Sequence, residues 1–375
     1  MAAYSEAQRV GEQEMLRISE ERALGLCQAA LEGLGVAPEK ARLCADSIVF
    51  ASVRGIDSHG LVGILPRMLS EVVSGKINPD AEIRMVEGSS TTATLDGAYG
   101  LGPVIAAEVM NQASSRAERC DLGAVVAFNC NHFGAASYYS ILAARRKLIG
   151  IIMCNSNPTV APFGGRERLY GTNPISYAVP VDGRPPVVLD IATSTVAAMK
   201  IGKAVRRGDT SIPYGWVMDK SGKPTTNPHA FREGGALLPM GEHKGYGLGL
   251  LVEMLTGCLA GSFIAQEVPE YRPGPEPLGQ SFFGLAINPA AFGPYERFSS
   301  RVADLSAYAH AVAPAEGFDE VMLPGDPEEK EAAQRRALGI PIMESEWEVV
   351  RSSLEQCGLD AAGLEAKFGP MLAIQ

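Results

Sequence analysis

Paired cysteines, histidine, long apolar runs and excess positive charge are all scarce in this 375-residue chain, and each scarcity excludes something. The seven cysteines, Cys27, Cys44, Cys120, Cys130, Cys154, Cys258 and Cys357, are scattered and never show C-x-x-C spacing. That argues against a disulfide framework or a structural zinc site, and for a reducing compartment. No H-E-x-x-H pair occurs among the five histidines, so no metal is expected. The longest apolar run, "LGLLVEMLTGCLAG", carries Glu253 and is too short to span a bilayer. The N-terminus, "MAAYSEAQRVGEQEML", lacks the charged start and apolar stretch of a signal peptide, so the expected location is cytoplasmic. Lys and Arg number 33 against 43 Asp and Glu, a net charge of −10, which disfavours nucleic acid or an anionic membrane as partner and leaves a small-molecule substrate. Internal repeats and low-complexity tails are absent as well.

What is present is enough apolar sequence, 46%, to bury a large core in two or three subdomains. Helical spacing runs from about Ile18 to Leu34, and Pro38 opens a second helix with Ala41, Cys44, Ala45, Ile48 and Val49 on one face. A third pattern, "LVGILPRMLSEVVSGK", is interrupted near Pro66. From Ala81 the period changes: "EIRMVEGSSTTATLDG" predicts two strands about a Gly-Ser turn, and "GPVIAAEVMNQASSRAER" a helix with Pro103 in its first turn. Strand, helix, strand follow in "LGAVVAFNC", "GAASYYSILAARRK" and "LIGIIMCNS". Further strands are expected in "PISYAVPV", "PVVLDIA" and "QSFFGLAIN", and helices in "SSRVADLSAYAHAV" and "PEEKEAAQRRAL". The four prolines between Val268 and Leu278 mark a surface loop.

The Rossmann phosphate loop is missing. In "GYGLGL", Gly245, Gly247 and Gly249 alternate, but no G-x-G-x-x-G follows a strand, and close helix packing explains the glycines as well. "FNCNHFGAASYY" suits an anion better: a strand ends there and Gly134, Ala135 and Ala136 open a helix, whose first N–H groups lack partners. His132 in that turn can cap the helix or touch a ligand. "NSNPTVAPFGG", "YGTNPISYAVP" and "LDIATS" each join a strand to a polar turn, which places Ser156, Thr172, Asn173 and Asp190 along one rim of a sheet. Lys244 in "GEHKGYG" is a candidate cation for phosphate or carboxylate.

The string "RGIDSHG" sets Asp57, Ser58 and His59 side by side at a junction between helices. A serine-hydrolase elbow wants Gly two before the serine, where Ile56 stands, and Asp57 with His59 are too few ligands for a metal. An imidazole that gives and takes a proton near neutrality remains, beside the bland alternative of a polar helix end.

In order, "RGIDSHG", "NCNHFGAASYY", "YGTNPISYAVP", "LDIATSTVAAMK", "GEHKGYGLGLLVEMLTG" and "MLPGDPEEKEAAQRRALGIPI" resemble the malate/L-lactate dehydrogenase family that is unrelated to Rossmann-type lactate dehydrogenases. The resemblance covers nearly the whole chain. It implies a mixed α/β (α+β type) fold that binds NAD or NADP on a largely antiparallel sheet, with an N-terminal helical part and C-terminal helices. It also implies a homodimer or higher homo-oligomer in which both subunits contribute to the active sites. The corresponding divisions are residues 1–80, helical and carrying the Ser-His motif; 81–125, the start of a mixed substrate region; 126–300, the NAD(P)-binding domain; and 301–375, C-terminal helices packing back on the N-terminal part. Activities in the family include interconversion of 2-oxo and 2-hydroxy acids such as malate, lactate and sulfolactate, oxidation of ureidoglycolate, reduction of diketogulonate, and reduction of cyclic imino acids such as piperideine- or pyrroline-2-carboxylate.

Carried over by motif, His59 is the expected acid/base and Ser58 orients it or the substrate, although some descriptions of the family give the proton to the histidine of the NHFG block, here His132. The residues implied to line the cofactor are His132, Phe133, Gly134, Ala135, Ala136, Ser156, Thr172, Asp190, Ile191, Ala192, Lys244, Gly325 and Asp326, with Thr172 and Asn173 also toward the substrate. Many relatives place Arg four residues after the histidine, suited to a bidentate grip on a carboxylate, but this chain has Gly63. Arg54, Arg67 or Lys200 are the candidate replacements. Lys200 stands where cyclic-imine reductases of the family can carry Asp, and a cation stabilises an oxyanion better than an iminium, which favours a 2-oxo acid over an imine. Arg166, Arg168 and Arg184 are candidates for meeting a 2′-phosphate. A non-enzymatic cofactor-binding protein is the least favoured reading.

Overall fold

The computed structural model describes residues 15–370. The chain starts with a short strand, β1 (Met15–Ile18), and three helices, α1 (Glu20–Gly33), α2 (Pro38–Val53) and α3 (Leu61–Val73). Ser19 Oγ accepts the Arg22 N–H at the start of α1, with Glu20 and Glu21 at its positive end. Pro38 opens α2, where its missing N–H has no partner to lose. Pro66 does not stop α3: Leu61, Ile64, Leu65, Met68 and Leu69 keep one buried face across it, and the packing of that face offsets the one lost backbone bond.

Then follow β2 (Arg84–Gly88), β3 (Thr92–Asp96), α4 (Gly102–Cys120), β4 (Leu122–Cys130), α5 (Ala136–Ala144), β5 (Ile149–Cys154), β6 (Ile175–Val179), β7 (Val187–Ile191) and α6 (Ala198–Arg206). Three two-residue strands, β8 (Val217–Met218), β9 (Pro224–Thr225) and β10 (Ala236–Leu237), precede α7 (His243–Glu253), which continues into one π-helical turn at Met254–Cys258. The chain goes on through β11 (Gln280–Ile287), α8 (Tyr295–His310), α9 (Asp326–Leu338), β12 (Ile340–Met343), α10 (Glu344–Gln356) and α11 (Ala361–Phe368).

These elements form two compact units, one of residues up to Val73 with those from Lys330 onward, the other Ser74–Glu329. In the first, β1 and β12 pair antiparallel from Met15↔Met343 to Ile18↔Ile340. Ile18 is therefore the end of a strand and not the start of the first helix. Its partner lies in the "GIPI" string, too far along the chain for local periodicity to reveal. α10 packs on α3, and Trp347, buried on α10, donates its indole N–H to Glu365 at 2.8 Å.

The second unit is built on a seven-stranded sheet in the order β2-β3-β4-β11-β5-β6-β7. Every neighbouring pair is antiparallel except β3 with β4, as the largely antiparallel sheet of the resemblance implied. The expected strand, helix, strand unit is β4-α5-β5, but β11 lies between its two strands: Phe283 pairs with Val126 on one side and Met153 on the other. β11 is buried from Gln280 to Leu285's neighbour Gly284, as a strand hydrogen-bonded on both sides within a covered sheet should be. The small sheet β10-β8-β9 closes over its own core of Val160, Tyr170, Ile201, Val217 and Leu237. All seven cysteines are free thiols. Among the described residues no helix is long and apolar enough to cross a membrane, and no cluster of three His, Cys, Asp or Glu could hold a metal ion.

Candidate active site

The "RGIDSHG" string leaves α2 at Val53 and turns once as a 3₁₀ helix, Asp57–His59, before α3 begins. Both neighbours fix that turn. Ser52 Oγ, on α2, accepts the Leu61 N–H at 2.7 Å and so caps α3. Asp57 is held from α9: Arg335 Nη1 lies 2.5 Å from its Oδ1 and Nη2 3.3 Å from its Oδ2. The same buried guanidinium donates to the Ser52 carbonyl at 2.6 Å and pairs with Glu331. Ser58 Oγ then stands 2.9 Å from His59 Nδ1. The imidazole is half-buried, and burial first, then the positive charge of Arg67, push its pKa down to about 4. At neutral pH it is an uncharged ring with Nδ1 oriented by a hydroxyl.

The candidate cations differ. Arg54 is buried, its guanidinium 5.1 Å above the Phe50 ring. Arg67, one turn beyond Gly63 on α3, pairs through Nε with the buried carboxylate of Glu71 at 2.9 Å. Lys200 is exposed in the first turn of α6, in the other unit.

In the second unit the strand directions bring the expected rim together. β4, β5 and β7 run parallel to one another through antiparallel β11 and β6, with Gln280↔Cys130, Phe282↔Cys154, Met153↔Ile175 and Ile175↔Ile191 in register. His132–Ala136, Ser156, Thr172, Asn173 and Asp190–Ala192 thus sit at one edge of the sheet. Lys244 joins the same edge at the start of α7, where the Met240 N–H donates to the Thr193 carbonyl at 2.9 Å. Gly325 lies against β7, the Val188 N–H donating to the Pro324 carbonyl at 3.0 Å.

Within that edge the residues do different work. Phe133 is a core side chain, with ring centroids 4.9 Å from Phe282 and 5.2 Å from Tyr139. His132 does not cap α5; its Nδ1 accepts from the Gly134 N–H at 3.2 Å. The carboxylate that meets α5 is Asp190, which takes the Ser137 N–H at 2.7 Å. Asn173 is fully buried at φ 39°, and its amide is occupied by protein: Oδ1 accepts from the Ser156 N–H, and Nδ2 donates to the Gly249 carbonyl and to Glu253 at 2.8 Å. It fixes the Ser156 turn to α7. Thr172 offers its carbonyl to the Thr193 N–H and hydroxyl. Asp326 pairs with His310 at 2.6 Å and accepts the Leu323 N–H; burial alone would raise its pKa, but these bonds and the charges of His310 and Arg184 hold it below the usual carboxylate value. The glycines of "GYGLGL" serve packing at two positions: a Cβ at Gly249 would strike the Tyr170 ring, and one at Gly245 would lie 2.7 Å from the Thr193 carbonyl oxygen.

Arg335 and Glu253 were not read as site residues in the sequence. Arg335 lies in a charged helix, "EKEAAQRRAL", where an arginine looks like a solvated one; only its sparse apolar surroundings in "RRALGIPI" hint otherwise. Glu253, the single charge in the longest apolar run, carried a usable signal, because a lone carboxylate there must find donors.

Residues 18–351 match the family described as malate/L-lactate dehydrogenase. The chain is 38% identical over 330 residues to the L-sulfolactate dehydrogenase of Methanocaldococcus jannaschii, covering 88% of this chain and 94% of that protein. It is 34% identical over 352 residues to a malate dehydrogenase of Pyrococcus horikoshii, covering 92% and 96%. The solved structure of the M. jannaschii sulfolactate dehydrogenase superposes with a TM-score of 0.85 at 36% identity, over 93% of this chain and 99% of that one. By sequence along nearly its whole length, and by fold, the chain belongs to the malate/L-lactate dehydrogenase family of oxidoreductases.

Proposed function

We propose that this protein is an NAD(P)-dependent dehydrogenase that interconverts a small 2-hydroxy acid and its 2-oxo acid, with His59 as the acid/base. The observation that carries the assignment is the Ser58 Oγ contact to Nδ1 of an imidazole kept neutral by burial and by Arg67. In the tautomer with the proton on Nδ1, Ser58 Oγ accepts it and Nε2 presents a lone pair. As the 2-hydroxy acid is oxidised, its hydroxyl proton passes to Nε2 and the carbinol oxygen becomes a carbonyl. A bound nicotinamide supplies the hydride acceptor for that oxidation, and the donor for the reverse reaction.

The residues at the sheet edge fit such a cofactor. Gly134 adopts φ +84° with open space where a Cβ would stand, and Ala135 and Ala136 add little bulk, so a pyrophosphate can approach the turn closely. Ser156, Thr172, Ile191, Ala192, Lys244, Gly325 and Asp326 would complete its lining, while Asn173, Asp190 and Phe133 hold the lining in place. Of the arginines near a possible 2′-phosphate, Arg168 is committed to the Gly235 and Phe231 carbonyls, which leaves Arg166 and Arg184. The names of the sulfolactate and malate dehydrogenases support a hydroxy acid over a cyclic imine. The proposal extends to a homodimer or higher homo-oligomer acting in the cytoplasm.

The test is His59→Ala, assayed with NAD and NADP across hydroxy acids, ureidoglycolate and cyclic imino acids. Turnover should fall by about 10²- to 10⁴-fold while cofactor binding persists. A variant that keeps its turnover would remove His59 from the chemistry, and turnover confined to cyclic imines would replace the hydroxy-acid assignment.

A further inference from the structure

Arg116, near the C-terminal end of α4, is a buried cation without a counter-ion; only 5% of its surface is exposed. Its stem lies flat on β4, where a Cβ at Gly123 would stand 2.8 Å from the Arg116 Cβ. Nε donates to the Thr92 carbonyl at 3.2 Å, and Nη1 donates to the Gln112 carbonyl at 3.2 Å and to its side-chain oxygen at 2.6 Å. All three acceptors are neutral. Nη2 meets only the Met85 thioether, at 3.7 Å, and among the described residues no carboxylate pairs with this guanidinium. A charge taken out of water favours a charged partner over neutral ones, so the free edge at Nη2 favours an anion.

That edge borders a 370 Å³ cavity walled by Met85, Val86, Glu87, Gly88 and Ser89 of the β2–β3 hairpin. Gly88 keeps the space open: a Cβ there would stand 3.7 Å from Arg116 Nη2 and 3.1 Å from Met85 Sδ. The wall is preformed, because Ser89 Oγ accepts the Thr91 and Thr92 N–H groups at 3.2 and 3.0 Å, and the Thr92 carbonyl that takes Arg116 also takes the Ser89 N–H. Glu87 brings a carboxylate to the same cavity, and it too forms no ion pair among the described residues. Met85 and Val86, 50% and 55% exposed, supply apolar surface beside it.

An unpaired cation, an unpaired anion and an apolar strip in one small cavity are the complement of a zwitterion with an apolar side chain. A dianion would be repelled by Glu87 and a simple amine by Arg116. We propose that this cavity binds a free apolar α-amino acid, with the α-carboxylate on Arg116 Nη2, the ammonium on Glu87 and the side chain on Met85 and Val86. The site is separate from the rim proposed for the cofactor. Arg116 packs at Gly123 and the rim begins beyond Cys130, at the opposite end of β4 and about 23 Å away along the strand.

The test is isothermal titration calorimetry of the full-length protein with L-leucine, 4-methylpentanoate and 3-methylbutylamine; the two analogues keep the apolar chain and one charge each. Leucine should bind the wild type with a Kd of roughly a millimolar, and each analogue should bind about 10- to 100-fold more weakly, the loss of one charged contact. Glu87→Gln, an exposed change, should weaken leucine by about tenfold and leave 4-methylpentanoate no weaker. Gly88→Val fills the cavity while every tie of Arg116 remains. Gly88 lies in strand β2 outside the left-handed region, and the Met85 side chain in its way is flexible, so this variant should fold and bind no leucine. Arg116→Met should also lose leucine binding; because it frees the hairpin as well, its melting temperature is read alongside, and Gly88→Val decides where Arg116→Met unfolds. A wild type that binds no leucine at tens of millimolar overturns the proposal. So do 4-methylpentanoate binding as tightly as leucine, and a Gly88→Val variant that binds leucine like the wild type.

Discussion

With His59 as the base proposed above, lowering the pH should leave the oxidation of a hydroxy acid unusually intact. As a base His59 must be neutral, and kcat/KM reports the ionisation of the free enzyme. Moving the imidazole from its ordinary 6.5 to about 4 represents roughly 3 kcal/mol in favour of the neutral ring. An ordinary histidine would cost the reaction roughly thirtyfold between the plateau and pH 5, whereas this one should cost little until the pH nears 4. In the reductive direction the sign reverses: the ring must arrive protonated, so kcat/KM should climb about tenfold for each pH unit of acidification down to the same point. The assay is the initial rate of L-malate oxidation and oxaloacetate reduction, read at the reduced-nicotinamide band between pH 4.5 and 9. Arg67→Met removes the smaller of the two causes, so the acid limb should move up toward 6.5 without reaching it, because burial remains. A wild-type limb at 6.5 or above would refute the account of a desolvated, cation-facing imidazole.

The same shift predicts a stability effect. Between pH 6.5 and 4 the unfolded chain binds the His59 proton and the folded one does not, so stability should fall across that window by up to about 3 kcal/mol and then level off; His59→Asn should flatten that part of the melting-temperature profile. Arg335→Met should cost about 2 kcal/mol in urea unfolding, less than breaking a fully buried pair because Asp57 is half exposed, and should lower kcat by loosening the Ser58–His59 turn. Asp190→Ala removes the carboxylate at the α5 N-terminus and should lower stability by about 1 kcal/mol while raising the cofactor KM. Unchanged cofactor affinity would confine Asp190 to a folding role. Asn173→Ala leaves the Ser156 N–H and the Glu253 carboxylate short of a partner at a left-handed backbone position, and should cost about 3 kcal/mol in the same unfolding assay.

Elements with local periodicity were legible in the sequence. The β2-β3 hairpin, α4, β4, α5 and β5 lie where alternation or a 3.6-residue period placed them, and the loop between Val268 and Leu278 is where its prolines put it. Pairings were not legible. Nothing near Ile18 announces Ile340, and nothing in "QSFFGLAIN" says that it parts β4 from β5. The two-residue strands β8, β9 and β10 are too short to carry a period at all. The candidate site divides in the same way. Clustering of polar turns pointed to the rim, because strand ends collect at sheet edges. Which turn residues face a ligand and which brace the fold depended on hydrogen bonds to distant segments, as with Asp190 on Ser137 and Asn173 on Glu253. Arg335, which holds Asp57 beside Ser58 and His59, reaches that turn from the far end of the sequence.

The position of β11 also bears on how the chain comes off the ribosome. β4 and β5 are complete by Cys154, yet the strand that joins them begins only at Gln280. Through the synthesis of everything between, two apolar strands present open edges of the kind that template aggregation. Closing the sheet requires a contact of high sequence separation, so folding should be slow relative to helical domains of similar size. Chains truncated before Gln280 should accumulate as insoluble protein or as chaperone-bound intermediates, and supplying the β11 segment in trans would offer a direct way to watch the sheet close.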